Sequence, residues 1–432
     1  MSRQEQPKRC RSMETTSLAR SLGRAVATVA AGTALLYAAN VPAQDDIVVV
    51  GGTGWHCGED PQCFNRLHPD IPMTARALPG QTILLKTRNS TDLQLDPDST
   101  YVDPRNPDPG RETVHPVTGP VHIEGAEPGD VLAVTILDID PGPFGATRIT
   151  ANGLLSDRIT GPFSVTWRLN RTEAVSDALP GVRIPNASFP GIITVLPGPQ
   201  QHAAALAREA ALVAAGGAVA PPHPTHASPA EVCGPQGSHP EECMRTIPPR
   251  EHGGNMDIRY MGVGVTVYLP CYVEGCGLGV GDLHFAQGDG EVAGTAIEMD
   301  ADVTLTTALI KDGPALAHGP HYEGSARLMD VPSRRFYATT GLPLKAAGDV
   351  PPDMVYLESS QVAELENLSK DISLAARNAL QEMIDYMVAS HGLTPEQAYI
   401  VTSVAVDLRI GQVVDVPNVG VTAILPLDIF DR

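Results

Sequence analysis

A proline–glycine turn running straight into an apolar or β-branched segment is the device that most limits how this chain can fold. It occurs at Leu78-Pro79-Gly80-Gln81 before Thr82-Ile83-Leu84-Leu85, and again at Glu127-Pro128-Gly129-Asp130 before Val131-Leu132-Ala133-Val134. Proline presets φ at the second turn position and glycine accepts the positive φ of the third, so each unit closes a turn and launches a strand. With 41 Gly and 39 Pro in 432 residues, and only 4% aromatic residues, turns punctuate the whole chain. The expectation is a mainly β fold, with sandwich or barrel-like sheets of many short strands and a few α-helices, notably near the C-terminus; α+β is the alternative. Two helices are predicted. An Ala-rich one covers 203–215, ahead of a Pro/Gly/His-rich loop ending near Pro249. The other runs from about Ile372 to Ser390, with Ala375, Leu380, Met383, Ile384 and Met387 at helical spacing and Gly392 as its stop.

The N-terminal segment reads as an address. Arg3, Lys8, Arg9, Arg11, Arg20 and Arg24 precede an uncharged stretch, Ala25 to Ala39, and then Val41-Pro42-Ala43. That order predicts a Sec-type signal peptide, residues 1–43, and a periplasmic or secreted protein. The apolar stretch is shorter than the roughly 20 residues of a bilayer span, which argues against a stable membrane anchor. Without residues 1–43, the remaining 389 carry 24 Lys and Arg against 48 Asp and Glu. So acidic a surface repels phosphate backbones, which excludes nucleic acid as an expected partner and favours cations and neutral molecules. Residues 44–432 can bury a sizeable core as one large or two intimate domains; one catalytic domain is expected, with a β part at 44–200, a helix and loop at 201–250, and a β/α part at 251–432 as its possible subdivision.

Of seven cysteines, Cys10 leaves with the signal, and six fall in local pairs: Cys57/Cys63, Cys233/Cys243 and Cys271/Cys276. An even count in an oxidising compartment predicts disulfides, although spacing does not dictate connectivity. The third pair is the weakest expectation because it falls in a predicted strand. A catalytic thiol at Cys271 or Cys276 is disfavoured, since no histidine base is fixed beside either in sequence.

Chemistry concentrates in Gly281 to Glu291, which reads G-D-L-H-F-A-Q-G-D-G-E and holds three carboxylates, an imidazole and a carboxamide without a Lys or Arg. Strand alternation puts Asp282 and His284 on one face. Gly288 and Gly290 let the chain turn so that Asp289 and Glu291 aim back into the same cavity. The competing reading is a solvated acidic turn or a structural calcium loop. A second polar cluster, His252-Gly253-Gly254-Asn255-Met256-Asp257, lies just upstream, across the extended run Val263 to Val273. His223, His226 and His239 lie among Pro, Ser and Gly without ligand-like spacing and are read as loop residues.

The segments N-M-D-I-R (255–259), V-Y-L-P-C-Y-V-E-G (267–275) and V-G-D-L-H-F-A-Q-G-D-G-E-V-A-G-T-A-I-E (280–298) resemble the acetamidase/formamidase family. So do His115 to Pro120, Ile123 to Asp130, Arg245 to Glu251, Ser403 to Val416 and Leu425 to Phe430, which extends the resemblance over most of the chain after about residue 75. It implies hydrolysis of a short neutral amide to carboxylate and ammonia, a mainly β fold, a bound divalent metal and a homo-oligomer. Cys271 and Cys276 depart from the family pattern, as do an insertion around Lys345 to Asp371 and the export signal.

An amide is a poor electrophile with a poor leaving group, so its hydrolysis needs a polarised carbonyl, an activated water and a proton for nitrogen. Asp257, Asp282, His284 and Asp289 are the candidate metal ligands, with zinc as the expected ion and calcium as the alternative. Glu291 or Glu124 is the candidate proton shuttle. His115 and Asn255 are expected to orient the substrate or support the ligands, and Gln287 to hydrogen-bond the amide. Asp407 and Asp415 are read as supporting. The rivals are hydrolysis of another C–N bond, such as a cyclic amide, and a non-catalytic calcium-binding β protein.

Overall fold

The computed structural model describes residues 47–92, 112–150, 153–159, 163–215, 219–314, 316, 319–330, 333–350, 360–413 and 418–431. The predicted signal peptide and Asp415 lie outside the described residues. Both Pro-Gly units form type II turns: Gln81 N–H donates to Leu78 O and Asp130 N–H to Glu127 O, both at 3.1 Å, with Gly80 and Gly129 at φ 88° and 98°. Each feeds a strand, as expected, at Thr82–Lys86 (β1) and Val131–Arg148 (β3).

The mainly β expectation is borne out. A 15-stranded sheet takes in β1, Val117–Ile123 (β2), β3, Phe189–Thr194 (β4), Gly253–Asn255 (β5), Cys276–His284 (β6) and Glu298–Ile310 (β7). Along its main path the order is β3-β7-β6-β4-β5. The strands β7 and β3 pair antiparallel over nearly their whole length, from Glu298↔Ala146 to Ile310↔Val131. Every residue of β6 is buried, because β2, β4 and β7 all pair with it. This depth lets one strand carry an acidic residue and a histidine far from water.

Helix α1 spans Pro199–Ala214, four residues earlier than its Ala-rich start, because Pro199 is tolerated in the first turn. Helix α2, Ile372–His391, closes on Gly392 in the left-handed region at φ 67°, as its sequence predicts. Its buried Ala379, Leu380, Met383 and Ile384 share a core with Ala423 and Leu425, from the three-stranded sheet of Phe336–Gly341, Gly420–Pro426 and Asp407–Gln412. Leu380, Met383, Ile384 and Leu425 are side chains of the size that contributes about 1.5–3 kcal/mol each on full burial. A third helix, Pro395–Ala405 (α3), was not anticipated. A capping box between Thr394 and Gln397 starts it, a signal that is visible in sequence.

All three cysteine pairs are disulfides: Cys57–Cys63, Cys233–Cys243 and Cys271–Cys276. The third does not lie within a strand. The strand Thr266–Pro270 ends just before Cys271, and Cys276 opens β6, so the bridge spans the turn between them. Among the described residues no helix is long and apolar enough to cross a membrane.

Candidate active site

At one end of the sheet, β6 delivers Asp282 and His284, the ladder partner of His284 on β7 is Glu298, and the intervening loop returns Glu291. Asp257 follows β5 from the opposite side. From His284 Nε2 the distances are 3.4 Å to Glu298 Oε2, 3.6 Å to Asp282 Oδ1, 3.8 Å to Glu291 Oε1 and 4.0 Å to Asp257 Oδ1. Four of these atoms, on Asp257, Asp282, His284 and Glu298, are buried without a hydrogen-bond partner. Such groups ordinarily cost about 1–3 kcal/mol each, more when charged, so their convergence marks a place built for a ligand.

The backbone is strained to reach this geometry. Asp257, Asp282 and Glu291 sit at φ 49°, 53° and 45°. Side chains rarely adopt this region, at about 1–3 kcal/mol each, and such residues gather where function demands them. Gly191 on β4 forms the floor: a Cβ there would lie 2.7 Å from Asp257 Oδ1 and 2.9 Å from a ring carbon of His284. Gly288 serves close approach, since its N–H donates to Ser403 O of α3 at 2.8 Å and a Cβ would collide with the end of that helix.

Burial raises the carboxyls of Asp257 and Asp282 to about 7, with Glu298 adding to the effect on both. Burial, then the neighbouring Asp257, also lifts Glu291 well above the usual range. For Glu298 burial pulls upward too, but the facing His284 and the Ala296 N–H hold it down at about 2. His284 would be lowered by burial, yet Glu298 and Asp282 raise it well above its ordinary value. The cluster therefore favours one imidazolium–carboxylate pair, and without a cation its other acids hold their protons to higher pH than ordinary carboxyls.

The supporting contacts place several of the expected residues. Gln287 Nε2 donates to Asp257 O at 2.8 Å, so its Oε1 is the atom 2.9 Å from His284 Nδ1 and accepts that N–H. This bond turns Nε2 toward the carboxylates and engages both ends of the Gln287 carboxamide, so the contacts present position His284 and Asp257. Asn255 Nδ2 donates to Asp257 Oδ2 at 3.0 Å and to Ile247 O at 3.1 Å, a supporting role. His115 Nε2 lies 3.9 Å from Asp282 Oδ2, and burial lowers this imidazole to about 4, keeping it neutral.

Two expected residues stand apart. Glu124 is at the surface, 2.8 Å from Arg76, because β2 ends before it. Asp289 turns the other way from Glu291, accepts a 3.4 Å hydrogen bond from Tyr260 Oη and feels Arg259 and Arg409. Gly290, at φ 89°, reverses the chain between them. Glu298 and Gly191 were not anticipated. Glu298 closes the longest family-like segment, but only its pairing with His284 gives it a role. Asp407 pairs with Arg259, in keeping with a supporting part. His252 lies outside the cluster, its Nδ1 2.9 Å from Thr194 Oγ1.

The donor atoms fit a divalent cation: two overlapping sets, Asp257/Asp282/His284 and His284/Glu291/Glu298, each lie within 4.8 Å of one another. Carboxylates with one imidazole suit zinc, manganese or a harder ion. Fold and site together define a β-sheet protein with a buried carboxylate–imidazole centre. A model of the Acetamidase/Formamidase family matches residues 55–432. The chain belongs to this family of amide hydrolases, as its motifs had implied. It is 33% identical to a formamidase of Methylophilus methylotrophus over 86% of this chain and 90% of that one. It is likewise 33% identical to an acetamidase of Mycolicibacterium smegmatis, over 78% and 84% of the two chains. A solved structure, the gamma lactamase from Delftia acidovorans, superposes with a TM-score of 0.78 at 32% identity, covering 89% of this chain and 93% of that one.

Proposed function

We propose that this chain is an exported amidohydrolase that cleaves short aliphatic amides, of the formamide and acetamide type, to carboxylate and ammonia with the help of a divalent metal, zinc first and calcium as the alternative. The observation that carries this reading is the convergence of four buried donor atoms, on Asp257, Asp282, His284 and Glu298, that make no hydrogen bond. These residues would hold the cation. When bound, such an ion polarises the amide carbonyl and makes water acidic enough to be activated near neutral pH.

Glu291 is the proton carrier in this scheme. It lies within reach of the same point, is more open to solvent than Asp282, His284 and Glu298, and its raised affinity for protons suits both halves of the transfer. It takes a proton from the attacking water and returns it to the nitrogen as the C–N bond breaks. Neutral His115 orients the amide from the Asp282 side. Gln287 and Asn255 hold His284 and Asp257 in place. The relative named gamma lactamase supports a cyclic amide as the second reading.

Export rests on the basic and then apolar order of residues 1–43, and three disulfides suit an oxidising compartment. A homo-oligomer is part of the same proposal; light scattering on the purified protein tests it, and fractionation of expressing cells tests export. The deciding experiment is ammonia release from formamide, acetamide and a γ-lactam before and after chelation. Unchanged turnover in protein shown to be metal-free eliminates the metal-assisted mechanism.

A further inference from the structure

Away from the carboxylate centre, three imidazoles converge from distant segments. His68 follows the strand Arg66–Leu67, which pairs with Met244–Arg245. The Cys233–Cys243 bridge closes the loop bearing His239 and Glu242, and His202 lies in the first turn of α1. The rings of His68 and His239 stack with centroids 4.1 Å apart, while His202 meets His68 edge-on at 4.6 Å. Glu242 Oε2 is 3.1 Å from His239 Nδ1 and 3.8 Å from His68 Nε2. Beyond the other ring nitrogens, Asp70 Oδ2 is 3.1 Å from His239 Nε2 and 3.9 Å from His68 Nδ1.

We propose that His68, His239 and Glu242 form a second metal site, for a divalent transition ion of the zinc class, that clamps the disulfide-closed loop to the strand at Arg66–Leu67. One donor atom from each of the three lies within 4.8 Å of the other two. Two imidazoles and one carboxylate are a common zinc donor set and leave a fourth position open to water. For His239, Asp70 supplies the outer carboxylate that metal-bound histidines usually engage through their second nitrogen, 3.1 Å from Nε2. His202 is not a ligand: its Nε2 lies 2.9 Å from Glu242 O and steadies that residue's backbone.

The proton balance closes within the site. Without metal, the Asp70 N–H donates to His68 Nδ1 at 3.1 Å, which puts that ring's proton on Nε2, facing Glu242. Binding moves the proton to Nδ1, which releases the Asp70 N–H from that nitrogen, and frees the Nε2 lone pair for the metal.

The test is zinc titration of chelator-stripped full-length protein beside His239→Ala and Glu242→Gln. The parent is expected to bind one equivalent more than His239→Ala, Glu242→Gln to bind that equivalent at least tenfold more weakly, and zinc to raise the parent's Tm more than either variant's. Both changes are on the disulfide-closed loop outside the main core, and far-UV circular dichroism checks the fold. Should His239→Ala lose structure, the near-isosteric Glu242→Gln decides. Zinc stoichiometry and affinity equal to the parent's in a folded variant would overturn the site.

Discussion

His284 and Glu298 face each other across the β6–β7 ladder, with Nε2 3.4 Å from Oε2. This contact ties the strand that carries the imidazole to the strand that leaves the site loop, so the charge pair also sets the loop's two ends. Replacing Glu298 by Gln removes one donor and leaves His284 without its main counter-charge. Metal content measured by elemental analysis is expected to fall, and amide turnover to drop by at least about a hundredfold, since it takes several kcal/mol from the centre. Full metal content in Glu298→Gln would remove this residue from the ligand set.

Gln287 acts through His284. Gln287→Ala is expected to leave the fold intact while weakening metal binding about 10–100-fold, because the ring loses the acceptor that fixes its tautomer and orientation. Competition with a chromogenic chelator reads this directly. Unaltered affinity would show that the ring is held by packing alone.

Gly191→Ala places a methyl group 2.7 Å from Asp257 Oδ1. Overpacking of this kind costs about 1–3 kcal/mol. A lowered Tm together with a loss of activity is expected, whereas a fully active variant would mean that β4 can retreat from the site.

The centre also sets a pH dependence. Asp257 and Asp282, raised to about 7 in the metal-free fold, keep protons that the unfolded chain releases near 4. The folded state therefore binds more protons across this window, and metal-free stability declines as pH rises from about 4 through 7. His284, raised as well, acts in the same direction above its ordinary value. Metal affinity runs the other way, because the ligands must lose those protons first. Calorimetry of stripped and loaded protein is expected to show Tm values diverging as pH rises toward 7. Parallel curves would contradict the assignment.

Local rules carried the sequence reading where it succeeded. Asp282 and His284 share a site, as an i, i+2 pair should, although Asp282 reaches it from left-handed backbone. The turns at Gly80 and Gly129, and the stop at Gly392, follow from what Pro and Gly permit at a single residue. Cysteines close in sequence meet across short loops. Each of these outcomes depends on atoms within a few residues of one another.

Tertiary structure decided the rest. Glu298 gains its role only because β7 pairs with β6, and Gly191 matters through a side chain it lacks beneath residues far along the chain. Glu124 loses its expected role to Arg76, and a single reversal at Gly290 sends Asp289 and Glu291 to opposite sides. His68 and His239, far apart in sequence, meet only because the strand at Arg66–Leu67 pairs with Met244–Arg245 beside the disulfide-closed loop. The sequence on its own determined the elements, the turns and the chemistry available. Which side chains share one low-dielectric pocket was left to long-range packing, because burial and charge pairing are properties of the assembled fold.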